Sequence, residues 1–455
     1  LPSILVAVNV DAGVSFVTTA KTGAVSLFGN GGTVTQMLSM ILGLRGTMSR
    51  ANQWWIIPAI ALFWMSHQQT AVGQTFGIEL HNNAMPASGG MGGASVSRPQ
   101  DLQSAIAGNP ATLRQFQGTQ FSFGGAWADV DYSITQGSSL PVLGVSPYSA
   151  KSSTPGGLLG NIGLTRDLEG AGLPATIGLG LITDAGGGVN FRAAPQSNGT
   201  ASQYVAIDIV GGLGISVTED LTIGASASLG TSYLDGPFTD FAGMTTAYGA
   251  RGTVGANLQL TQYTSLGAYW ETEKDLNFND AFLLPIVGRA RDVSFEHPSN
   301  VVFGLANNRL FDGRLLLATD VVFKEYSNAD LLRAIYRDQW CFQFGTQYAL
   351  TEKTNLRLGY VYAQNPLKSA RLESIGGVVL PDGVPAVRYV QGQFAAITEN
   401  RITGGLGVRD LFPGMDLDLF AGYGFDADDQ LANTSVSLRD NYWVGFGSTW
   451  RFGPR

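Results

Sequence analysis

The chain has 455 residues, of which 14% are charged and 44% hydrophobic, with a formal net charge of −8. That balance argues against a general electrostatic attraction to nucleic acid. No uncharged apolar run approaches the roughly 20 residues a spanning helix needs, so a membrane wall built from this chain has to be made of strands.

The length would suit two or three soluble domains, and it suits equally well one large barrel of many short strands. Sixty glycines and 10% aromatic residues favour the barrel, where small side chains face a crowded lumen and rings sit at two membrane interfaces. A secreted, glycine-rich β-sandwich is the competing fold. Cys341 is the only cysteine, so no intramolecular disulfide can form, and no Cys/His cluster offers a metal site.

At the N-terminal end, Arg50 precedes the apolar stretch Trp54 to Met65, which polar Ser66 to Gln69 and then Ala71-Val72-Gly73 follow. A basic start, a short apolar core and small residues at a cleavage point make a secretory signal, with Met48 as its natural start. Pro58 and the shortness of the stretch count against a buried helix or an anchor. The expected division is an upstream segment of no role over 1–47 and a signal peptide over 48–73.

From Thr119 onward the dominant period is two, as a wall with one face in lipid and one in the lumen requires. Leu221, Ile223, Ala225, Ala227 and Leu229 alternate with Thr222, Gly224, Ser226 and Ser228. Trp340, Phe342 and Phe344 alternate with Cys341, Gln343 and Gly345, which makes the cysteine a small lumen-facing residue. The same reading draws strands over 119–135, 156–166, 174–191, 202–218, 220–234, 246–261, 264–274, 292–307, 313–325, 338–350, 354–363, 397–409, 414–426 and 440–452. Their total is even, as in bacterial single-chain barrels. Tyr442, Val444, Phe446, Trp450 and Phe452 give the last strand an aromatic face of the kind barrel-assembly machinery recognises, although Gly453-Pro454-Arg455 follows it.

Ahead of the first strand, Phe76 to Phe116 shows little period-two pattern. It carries the small-residue run Ala87-Ser88-Gly89-Gly90-Met91-Gly92-Gly93-Ala94 and then Asn109-Pro110-Ala111. These residues, in that place, resemble the N-terminal hatch of the outer-membrane long-chain fatty acid and aromatic hydrocarbon transporters. Leu179 to Gly188 is similar to that family's kinked third strand, and Ala281 to Ile286 to an apolar piece of its large external loop. Asp320 to Tyr326, Asp338-Gln339-Trp340 and Arg357 to Leu367 are similar to its later strands. Asp235 to Met244 is shorter than the helical loop expected there.

The resemblance implies an all-β, transmembrane antiparallel β-barrel of about 14 strands over 119–455, plugged by a hatch over 74–118 with its turn at Asn109, Pro110 and Ala111. It implies an outer-membrane protein, probed from outside by hydrophobic small molecules and bounded by lipid and lipopolysaccharide, with no cofactor and a monomeric state. Gly186, Gly187 and Gly188 would form the lateral-opening kink. Glycine chemistry alone leaves a simple external loop equally open there.

Phe282, Leu283, Leu284, Ile286 and Val287 form an apolar cluster in a segment that should be polar, and with Phe76 they are the ligand-binding candidates. Packing against the barrel mouth is the alternative for each. Catalysis has no support, since no nucleophile elbow or His-Glu-x-x-His site is present, and His297 reads as structural. The expected function is passive uptake of long-chain fatty acids or other hydrophobic compounds. A water-filled porin and a structural or adhesive barrel are the rival classes.

Overall fold

Alternation along each strand becomes a two-faced wall. In one strand Leu358 is 68% exposed while its neighbour Arg357 is 2% exposed, because successive side chains leave opposite faces of the pleat. The structure is a computed structural model that describes residues 78–235, 245–283, 290–369, 374–375, 378–379 and 383–452. The expected upstream segment and signal peptide lie outside the described residues.

The wall consists of 14 long antiparallel strands, each hydrogen-bonded to its chain neighbours. They are β1 (Thr119–Gln136), β2 (Gly157–Asp167), β3 (Ala175–Asn190), β4 (Ala201–Ser216) and β5 (Leu221–Asp235). Next come β6 (Thr245–Thr261), β7 (Thr264–Glu271), β8 (Asn300–Leu310), β9 (Leu315–Lys324) and β10 (Gln339–Ala349). The last are β11 (Thr354–Ala363), β12 (Asn400–Phe412), β13 (Met415–Gly424) and β14 (Thr434–Phe452). β14 pairs with β1 from Thr119↔Phe452 to Gln136↔Thr434, which closes the sheet into a barrel. Closure removes the edges that would otherwise template aggregation. No described helix is long and apolar enough to cross a membrane.

The two rims differ. One carries short turns, as between Thr261 and Thr264, Ala349 and Thr354, or Phe412 and Met415; the other carries long connections, as between Glu271 and Asn300 or Ala363 and Asn400. Phe311, Phe412 and Phe452 are exposed at the short-turn rim, and Tyr248, Trp270 and Trp340 near the long-loop rim. Rings at two levels around an apolar band are what a bilayer's two interfaces select.

The expected strands 264–274 and 292–307 are corrected. The wall stops at Glu271 and resumes at Asn300, while Lys274–Leu283 and Ala290–His297 pair with each other as a separate hairpin. Period two misled because this hairpin also has one buried face, Leu276, Phe278 and Phe295 packing into the core of the mouth. The last strand starts at Thr434, six residues before the expected 440.

The hatch, described from Ile78 up to β1, packs inside the wall. It comprises a 3-10 turn at Ser88–Met91, a short helix at Leu102–Ala107 and a second 3-10 turn at Pro110–Gln115. Asp101 organises it: Oδ2 accepts from the N–H groups of Ala87 (3.0 Å) and Ser88 (2.8 Å), and Oδ1 accepts from Ser104 N–H (2.8 Å) as the helix N-cap. Wall residues complete the docking. Asp320 in β9 accepts from the N–H groups of Ser95 (2.6 Å) and Val96 (3.0 Å), and Gln343 in β10 donates to Gly92 O (2.9 Å).

Candidate functional site

The site is built where the ladder between β2 and β3 stops. Pairing runs from Asp167↔Thr176 to Ile162↔Leu181 and no further, although β2 continues to Gly157 and β3 to Asn190. Side chains replace the next rungs: Thr183 N–H donates to Asn161 Oδ1 (2.9 Å), and the Thr183 hydroxyl donates to Gly160 O (2.9 Å). Beyond them β3 bulges, its register on β4 slipping between Thr183 and Ala185. A bulge leaves one residue unpaired and bends its strand.

Gly186, Gly187 and Gly188 follow the bulge and keep full pairing with Val205, Tyr204 and Gln203 of β4. The slip is therefore at Asp184, while the glycines lie on the strand's outward continuation. The open edge of β3 is taken by the hatch itself. Leu80 N–H donates to Asp184 O (3.0 Å), Gly186 N–H donates to Ile78 O (3.1 Å), and Glu79 and Ala185 form an antiparallel bridge. The first described residues thus add a miniature strand to the wall, satisfying backbone groups that lipid would leave unpaired.

Around this bridge lies a buried ionic cluster. Glu79 is paired with Lys324 of β9 and, through Oε1, with Arg251 of β6 at 2.8 Å. Arg251 also lies 3.7 Å from Glu271 of β7 and donates to Pro298 O at 2.5 Å. Lys274, fully buried on the hairpin, holds Asp184 at 2.6 Å and Asp208 of β4 at 2.9 Å. His297 Nδ1 lies 3.3 Å from Asp184 and 3.6 Å from Glu79, and its Nε2 is 2.5 Å from the Tyr204 hydroxyl. Four carboxylates thus face three permanent cations in a place where each unpaired charge is costly.

Glu79, Asp184 and His297 place one donor atom each within 4.8 Å of one another. Lys274 and Arg251 already sit on the same carboxylate oxygens, so a divalent ion would meet their positive charge at contact distance. The donor set is that of an ion-pair network.

The cluster borders an apolar core through Tyr204 and Phe295, whose rings contact His297. Tyr204 stacks on Phe295 with ring centroids 4.7 Å apart, and Phe278 meets both edge-on. The apolar core continues through Ile78, Val189, Phe191 and Tyr132 to the helix Val384–Gln391, which the β11–β12 connection folds into the mouth. Tyrosine hydroxyls there are paired off, Tyr148 with Tyr389 at 2.8 Å and Tyr132 with Gly392 O at 2.7 Å, so the rings pack into this core as apolar surface.

Of the residues singled out from sequence, Asn109 caps the second 3-10 turn and donates to Val96 O (2.9 Å) and Ala256 O (3.0 Å), while Ala111 is buried against β5. Phe282 and Leu283 belong to the hairpin backbone, paired across from Arg291 and Ala290. Phe76, Leu284, Ile286 and Val287 lie outside the described residues. The ionic cluster was missed. Its signal is a lone charge between small or apolar neighbours inside a strand, as at Ile207-Asp208-Ile209 and Ala250-Arg251-Gly252.

No family model matches the chain, and no curated protein matches it. Solved structures do. The toluene transporter TodX of Pseudomonas putida superposes with a TM-score of 0.59 at 19% identity, over 83% of this chain and 100% of that one. A FadL homologue of Pseudomonas aeruginosa gives 0.60 at 15%, over 83% and 100%. The toluene transporter TbuX of Ralstonia pickettii gives 0.53 at 18%, over 81% and 98%. The architecture is a closed 14-strand antiparallel β-barrel plugged by the segment ahead of its first strand. More particularly, the chain has the fold of the FadL and TodX channels.

Proposed function

We propose that this chain is a bacterial outer-membrane channel for passive uptake of hydrophobic compounds, which enter at the long-loop mouth and leave sideways between β2 and β3. The observation that carries this reading is the interrupted β2–β3 ladder lying beside an apolar mouth core, with the hatch's Ile78–Leu80 paired on the edge that β2 leaves open. An apolar solute gains roughly 0.8 kcal/mol per methylene on leaving water, so lining of this kind draws cargo in without an energy source. The likeness to structures described as toluene transporters favours an uncharged or weakly polar cargo class that includes aromatic hydrocarbons, with fatty acids as the other member. Phe76, Phe282, Leu283, Leu284, Ile286 and Val287 remain the proposed capture residues, and Gly186 to Gly188 the hinge that lets β3 bow.

The test is a disulfide across the interrupted ladder. Gly160→Cys with Thr183→Cys, oxidised in the assembled barrel, should stop uptake of radiolabelled toluene or oleate, and reductant should restore it. Uptake that continues through the oxidised form sinks the lateral route. A bulky Gly187→Val should lower uptake at normal surface levels, and unchanged uptake counts against the glycine hinge. Sizeable ion conductance with no binding of a fluorescent fatty acid would instead support a water-filled porin.

A further inference from the structure

We infer that the outward face of β1 and β14 beyond the lipid band, widened by one short strand on each side, is a binding platform for the uncharged sugars of outer-leaflet lipopolysaccharide. Such a platform requires an outer-membrane setting but no particular cargo or route.

The two strands change character along their length. Outward residues of β14 run Phe446, Val444 and Tyr442 and then Arg439, Ser437 and Ser435; those of β1 run Phe123 and Trp127 and then Asp131, Ser133 and Thr135. The intervening Tyr132, Ile134, Val436 and Leu438 point the other way, into the core of the mouth. Trp127 and Tyr442 meet at 5.5 Å where the change occurs. Ten residues separate Tyr442 from Phe452 at the short-turn rim, which at about 3.4 Å per residue and a tilt of about 40° is about 26 Å, the height of a barrel's apolar band. Ser435 then stands about 18 Å above the hydrocarbon, at the level of sugars and well clear of acyl chains.

The face is four strands wide there. Ala427–Leu431 pairs with β14 and Tyr148–Lys151 pairs with β1, so two rows cross the sheet: Asp428, Ser437, Ser133 and Lys151, then Gln430, Ser435, Thr135 and Ser149. With neighbouring strands about 4.8 Å apart, each row is about 14 Å long. A cavity of about 320 Å³ opens over the part formed by Ala427–Leu431, β14 and β1, a size at which small-ligand sites begin, roughly 300 Å³.

Chemistry selects the occupant. The rows carry hydroxyls that both donate and accept, with a carboxylate and an amide beside them, the partners that a polyol can use all along its ring. Charge disfavours the phosphates of the same lipid. Lys151 is held by Asp131 at 2.5 Å and Arg439 by Asp428 at 2.7 Å, while Asp429 and Asp440 add further negative charge around the face.

Lipopolysaccharide with a complete core and a deep-rough form cut back to its phosphorylated inner sugars are the two probes. Each is mixed with the purified full chain in detergent, with a chelator present so that no divalent ion bridges phosphate to carboxylate, and the bound lipid is counted by native mass spectrometry. The complete form should be retained about fivefold more than the truncated one, as one or two hydrogen bonds to sugar imply. Ser133→Val with Ser435→Val should remove that preference. Valine favours strands and both positions lie on the outward face, so the variant should keep the heat-modifiable band of a folded barrel. Equal retention of the two lipids, or an unchanged preference in the double variant, overturns the platform. Core oligosaccharide freed of its lipid should compete in excess, and retention indifferent to it overturns the sugar assignment. If the free oligosaccharide binds while the two lipids are retained alike, the sugar comes from solution and the lipopolysaccharide assignment falls. No hydrophobic cargo enters the measurement, so the uptake reading stands or falls separately.

Discussion

Leu80 of the hatch donates its backbone N–H to the carbonyl of Asp184 in β3 at 3.0 Å, which makes the plug a paired part of the wall. Leu80→Pro deletes that donor. One lost backbone bond is worth about 1 kcal/mol, so exchange at Gly186 N–H should speed up about fivefold while the barrel still migrates as a folded, heat-modifiable band. Unaltered exchange at Gly186 would show that the bridge does not hold the hatch.

Arg251 is the hub between Glu79 and Glu271. Arg251→Met leaves Glu79 with Lys324 and Glu271 with Asn300 but removes one cation from the cluster, and breaking a buried ion pair from one side costs about 3–5 kcal/mol. Proteolysis of the hatch should then begin at lower urea. Adding Glu79→Gln should recover part of the loss, because the excess negative charge falls by one. A double variant no more stable than Arg251→Met would remove the electrostatic account.

Asp101 satisfies three backbone donors at once. Asp101→Ala should destabilise the hatch by about 2–4 kcal/mol, the sum of a helix cap and two further charge-assisted bonds. Single-channel conductance should rise as the plug loosens, with Asp101→Asn intermediate. Conductance equal to that of the unaltered chain would mean the hatch is held by the wall alone.

Gly224 in β5 lies under the hatch turn, where an added Cβ would overlap the backbone of Pro110 and Ala111. Gly224→Val should displace Asn109 to Ala111 and cost about 1–3 kcal/mol by overpacking. Gly211 has nothing within 4 Å of the corresponding position, so Gly211→Val is the matched control. Equal protease resistance of the two variants would contradict close docking of that turn.

Much of the wall was legible in the sequence because the two faces of a membrane strand meet different solvents. Leu356, Leu358 and Tyr360 had to alternate with Asn355, Arg357 and Gly359 whichever neighbours they found. The rule failed at Lys274–Leu283 and Ala290–His297, since a hairpin folded into the mouth also buries one face and carries the same period.

Alternation therefore marked the strands of a two-faced wall without coordinates, and the small-residue run ahead of Thr119 carried the resemblance that implied a plug. Only the tertiary structure decided that the ladder fails between β2 and β3, that the slip falls at Asp184, and that Glu79, Asp184 and His297 converge there. Those residues lie as far apart in the chain as 79 and 297, and no local period records which strands will bring them together. Solvent imprints the wall on each strand separately, whereas the ionic cluster exists only once hatch, β3 and hairpin share the lumen.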